Sequence, residues 1–149
     1  MRTDEKAAGE ALYGLVTAAV RRGSRDMSLT SLSTLSTLDR TGPRRITDLA
    51  VIEGVAQPSM TVLVSGLERS GLVERRGDPA DKRVALVSLT AAGRDLLRSR
   101  RRAGAEAFAE LIGKLPAAEA AALAAAIPAL RRLRELHNEQ REPAEGASR

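Results

Sequence analysis

The chain has no cysteine and no tryptophan, and Tyr13 and Phe108 are its only aromatic residues. Without cysteine there are no disulfides, no thiolate metal ligands and no cysteine redox switch. Two aromatic rings in 149 residues are too few for the stacking platforms that single-stranded nucleic-acid binding relies on. One histidine, His137, cannot build a metal site alone; it reads as an exposed residue of a C-terminal helix, and no cofactor is expected. No apolar run approaches the roughly 20 residues of a membrane span, and the N-terminus lacks the apolar core of a signal peptide. The chain therefore reads as soluble and cytoplasmic. A nucleophile–base pair, a metal cluster and a glycine-rich phosphate loop are all missing, which argues against an enzyme.

What the chain does have is basic charge and helical periodicity. Lys and Arg total 24 against 19 acidic residues, for a net charge of +5. That excess suits a nucleic-acid or anionic membrane partner and proves neither. The length fits one domain, or one domain plus an element for association. Ala8, Leu12, Leu15, Val16, Ala19 and Val20 recur at three-and-four spacing, an amphipathic helix that Gly23 and Ser24 would stop. Leu29, Leu32, Leu35 and Leu38 make a second stripe, with Thr30 as candidate cap and Gly42-Pro43 as terminator.

Two short helices follow closely. Thr47 is the candidate cap of "DLAVIEG", and Gly54 marks the turn. "QPSMTVLVSGLERSGL" carries Pro58 in its first turn, where a missing N–H costs nothing, and Gly71 at its end. With Met60, Leu63, Val64 and Leu67 inward, this is a helix-turn-helix pattern. "LVERR" and "VALVSLT" then read as two strands around a turn at Gly77, Asp78 and Pro79. A helix-turn-helix followed by a hairpin is a winged helix. Thr90 caps a long helix, Pro116 starts a last one striped by Leu123, Ile127, Leu130, Leu133 and Leu136, and Pro128 should kink it. The reading is a mainly α (α+β) chain with a winged helix-turn-helix core and a two-stranded wing. Residues 1–28 form an N-terminal dimerisation helix, 29–90 the DNA-binding core, 91–140 long C-terminal dimerisation helices and 141–149 a disordered tail. The terminal apolar faces need a cover, and a second copy of the chain supplies the simplest one.

Residues 46–93, "ITDLAVIEGVAQPSMTVLVSGLERSGLVERRGDPADKRVALVSLTAAG", resemble the core of the MarR family of bacterial transcriptional regulators. "LERSGLVER", the wing "DPADKR" with its Asp-x-Arg, and "VSLTAAG" carry the resemblance, in order and at matching spacing. It implies a homodimer on a roughly palindromic duplex site, repression, and release by a small anionic or phenolic ligand.

In that light the wing residues Asp81, Lys82 and Arg83 become DNA-binding candidates. Arg83 is the match for insertion into a narrow minor groove, whose negative potential attracts guanidinium. Asp81, an acid beside DNA, is then a positioning group for Arg83. On the second helix of the pair, Gln57, Ser59, Thr61, Val62 and Ser65 point outward. Gln57 suits adenine, and Ser59 and Thr61 suit a base edge or a phosphate. Val62 stands where the family often has Arg, and Ala56 where Ser or Thr often caps. Arg75 and Arg76 are phosphate candidates, with Arg44, Arg45 and Arg94 weaker ones. The run of Arg98 and Arg100 to Arg102 reads first as a solvated helix face. Tyr13 and Met27 are weak effector-pocket candidates, with core packing the competing role. The alternative to DNA reading is a helical protein-interaction module of winged-helix shape, which Val62 favours.

Overall fold

The second helix of the pair is sharply bounded at its start by Pro58, whose fixed φ and missing N–H both suit a first turn. The computed structural model, which describes residues 2–21 and 26–142, places it as α4 (Gln57–Arg69). Before it come α1 (Thr3–Arg21), α2 (Leu29–Thr41), β1 (Arg44–Arg45) and α3 (Ile46–Glu53). After it come β2 (Val73–Gly77), β3 (Ala85–Leu89), α5 (Ala91–Ile112), α6 (Ala117–Ala125) and α7 (Ile127–Arg141). Gly23, Ser24 and the tail beyond Glu142 lie outside the described residues.

Gly54 ends α3 in the left-handed region at φ 65°, where a side chain would be strained, and its N–H reaches the Ala50 and Val51 carbonyls. This turn sets α3 and α4 at 110°, within the range of helix-turn-helix pairs. Their inward faces meet α2, the sheet and α5 in one core, centred on Leu35, Leu49, Met60, Val64 and Val87. Leu63 packs at its margin rather than inside it.

Four local expectations are corrected. Ser28, not Thr30, caps α2: its Oγ accepts the Ser31 N–H at 3.1 Å, while Thr30 lies one residue inside the helix. Thr47 does not cap α3, which begins one residue earlier at Ile46 with Arg45 as its uncapped boundary. The wing hairpin belongs to a three-stranded antiparallel sheet of order β1-β3-β2, because Arg44 and Arg45 pair with Val87 and Leu86. Two residues after a Gly-Pro carry no alternation from which such a strand can be read. The last helix is split rather than kinked. Pro128 cannot donate to the Ala124 carbonyl, so α6 stops and α7 restarts at Ile127, with the Ala126 N–H satisfying carbonyls of α6.

Thr90 does cap α5: its Oγ1 accepts the Gly93 N–H at 3.1 Å and donates to the Gly71 carbonyl at 2.6 Å. No described residue of α1, α6 or α7 is buried. Their apolar stripes, including Leu15, Val16, Ile127, Leu130 and Leu133, face outward.

Candidate nucleic-acid interface

The wing is ordered by two aspartates acting on their own loop. Asp78 accepts the Ala80 N–H at 2.9 Å and the Arg45 guanidinium at 3.3 Å, which ties β1 to the turn. Asp81 accepts the Arg83 backbone N–H at 3.1 Å, and its two oxygens take Arg83 Nε at 3.0 Å and Nη2 at 3.1 Å. This fork-to-fork geometry fixes the guanidinium of a side chain that is 90% exposed. Exposed ion pairs contribute little to stability, so the pairing matters for where it holds the arginine. The Arg83 guanidinium, and after it the Arg83 N–H, hold the Asp81 carboxyl below its ordinary range. The paired form is therefore complete above the usual carboxylate pKa and is lost only as pH falls through the lowered value.

Arg75, in β2, turns toward α4. Its Nη2 donates to Ser65 Oγ at 2.8 Å, and its Nε lies 3.3 Å from Glu68 Oε2 as an ion-pair contact rather than an aligned hydrogen bond. The strand that enters the wing is thus fastened to the helix beside it, and the Ser65 hydroxyl is occupied from within the chain. Arg76 is exposed and pairs with Glu74 at 2.7 Å. Lys82 is exposed at the tip and has no ion-pair partner among the described residues.

On α4, Gln57, Ser59 and Thr61 are exposed, and the Thr61 hydroxyl donates to the Gln57 carbonyl at 3.0 Å. Val62 is 71% exposed, an apolar side chain presented to solvent between polar neighbours. Ala56 caps α4 with no side-chain bond. The weaker arginine candidates are engaged elsewhere: Arg44 with Thr41, Arg94 with the Leu89 carbonyl, and Arg101 with Asp39 of α2. Met27 is half-buried against the core, and Tyr13 stands exposed on α1. Neither lines the apolar groove of about 420 Å³ between α1 and α5, which Leu15, Ala19, Phe108 and Leu111 help form.

The sequence profile of the MarR family matches residues 27–85. The HTH-type transcriptional regulator MT0903.1 of Mycobacterium tuberculosis is 38% identical over 99 residues, spanning 66% of this chain and 69% of that protein. The chain belongs to the MarR family. It is a member of a family of DNA-binding transcriptional regulators, not of enzymes. The fold agrees: transcriptional regulator Tm0710 of Thermotoga maritima superposes with a TM-score of 0.74 at 22% identity, over 91% of this chain and 97% of that one. A mutant of S. aureus MepR, bound to an oligodeoxyribonucleotide, superposes with a TM-score of 0.64 at 21% identity, over 91% and 99%. No single described helix of this MarR-family chain is long and apolar enough to cross a membrane.

The sequence does not disclose the Arg75–Ser65 tie or the Arg45–Asp78 tie. The second joins residues 33 positions apart through a strand that sequence periodicity does not reveal.

Proposed function

We propose that this chain is a cytoplasmic homodimeric repressor that binds a roughly palindromic duplex DNA site and leaves it when a small anionic or phenolic ligand binds. The observation that carries the reading is the wing: an exposed guanidinium held in place by Asp81, on a hairpin whose incoming strand is fastened to α4 by Arg75. Fixing Arg83 before DNA arrives spares the ordering cost of an arginine, about 0.5–1.5 kcal/mol. Gln57, Ser59, Thr61 and Val62 are the base-reading candidates, with Val62 suited to thymine methyl groups. Lys82, Arg83 and Arg76 supply phosphate or minor-groove contacts, whereas Ser65 and Arg75 act mainly by joining helix to wing.

Dimerisation accounts for the uncovered terminal helices, and a two-fold dimer presents two α4 helices to half-sites about 34–36 Å apart. Tyr13 lies on one of those uncovered faces, where a second copy would close a pocket over it. Fluorescence anisotropy with the duplex upstream of the chain's own gene tests the reading. Affinity should exceed that for a shuffled duplex and fall steeply with salt, as phosphate contacts release counterions. Equal weak binding to both duplexes would favour a protein-interaction module instead.

A further inference from the structure

The side chains of α4 that face the core are Met60, Val64 and Leu67. At about 3.6 residues per turn, Val62 stands roughly 180° around the helix from them, with Pro58 one turn before it and Gly66 one turn after. Pro58 and Val62 are exposed, and Gly66 is half-buried. Up to Arg69 in the last turn, this outermost line of α4 carries no hydrogen-bonding side chain. The hydroxyls that flank it are engaged within the chain, Thr61 donating to the Gln57 carbonyl at 3.0 Å and Ser65 accepting from Arg75 at 2.8 Å.

A single exposed valine is ordinary on a protein surface. Val62 and Gly66 together are not, because neither favours the helix it stands in. A β-branched side chain and a glycine both lower helix propensity relative to alanine, glycine the more. Nothing described within the chain calls for the glycine. Its φ is not positive, and the nearest neighbour to where a Cβ would stand is Arg69 Nη2, at 3.9 Å. The missing side chain leaves room for a partner to approach the helix backbone.

We propose that this line reads the C5-methyl group of a pyrimidine in the major groove, with Val62 as the contacting side chain and Gly66 as the gap that lets α4 sit close. The inference rests on the DNA-binding reading above and names the base group that α4 would recognise. The major groove admits an α-helix, and of the four unmodified bases thymine alone presents a methyl group there. In a helix the χ1 of valine is held almost to one rotamer, so the Val62 methyls are in place before DNA arrives. Guanine is most often read by arginine or lysine, which α4 lacks before Arg69. The half-site under α4 is then defined by methyl groups, and by adenine at Gln57, rather than by guanine.

Anisotropy with the duplex upstream of the chain's own gene, each thymine replaced in turn by uracil, tests it. Uracil keeps the pairing with adenine and loses the methyl. At one position in each half-site uracil should weaken binding about fourfold, the contribution of one buried methyl group. Val62→Ser should lose that discrimination. At the same position 5-methylcytosine opposite guanine should bind more tightly than cytosine. Gly66→Ala separates reading from folding: its unfolding midpoint should rise, because alanine is the better helix former, while its affinity for the thymine duplex falls. An equal uracil penalty in wild type and Val62→Ser, no penalty at any position, or undiminished binding by Gly66→Ala would overturn the inference and leave the DNA-binding reading standing. No preference for the upstream duplex over a shuffled one would overturn that reading, and this inference with it.

Discussion

Gly93→Ala lowers the stability of the folded chain by about 3 kcal/mol, the upper part of the usual range for overpacking. The added methyl would sit 2.3 Å from the Leu72 carbonyl oxygen and 2.7 Å from Leu89 Cδ1. The oxygen is backbone and cannot rotate away. It also accepts the Thr90 N–H at 3.1 Å, and Thr90 in turn caps α5 through Gly93 and holds the Gly71 carbonyl. Moving α5 outward to admit the methyl therefore loosens the joint between the end of α4, β2 and the long helix. Urea unfolding measures the cost. A change below about 0.5 kcal/mol, the range of ordinary surface substitutions, would show that this contact is not as tight as its distances indicate.

Ending the chain after Pro116 should abolish the proposed dimer. The truncation removes α6 and α7, whose described residues are all at least partly exposed in the single chain. Leu123, Ile127, Leu130, Leu133 and Leu136 form the stripe left uncovered there. Taking such a side chain from full exposure to full burial contributes about 1.5–3 kcal/mol. These are 40–49% exposed, so a partner adds roughly half of that at each, summed over the stripes of both copies against the cost of association. Removing α7 also strips Arg141 from Glu53, so the truncated chain is accompanied by a subtler variant. Leu133→Glu places a charge on a residue 49% exposed in the free chain and should give a folded monomer by light scattering. A dimer in both variants would move the association surface to another part of the chain.

The winged-helix core was legible because its signals are local. Gly54 and Pro58 mark the turn between α3 and α4, Met60, Val64 and Leu67 recur at helical spacing, and Thr90 precedes α5 at capping distance. Asp81 and Arg83 stand two residues apart, so their pairing was legible as well. What the sequence hid lies in contacts between distant positions. β1 exists only because β3 offers it an edge, and Arg141 meets Glu53 across 88 positions. The arginines themselves are misleading in sequence. Arg75 and Arg101 look like phosphate contacts or solvated charge until the fold shows them turned toward Ser65 and Asp39.

The most direct test of the DNA-binding account is the anisotropy of an upstream duplex with wild type and Arg83→Ala at one fixed salt concentration, with light scattering on both. The account expects the variant to keep its oligomeric state and to lose about 1–3 kcal/mol of specific binding. Unchanged affinity in a correctly assembled Arg83→Ala protein would contradict it, because the guanidinium that Asp81 holds in place would then not touch DNA.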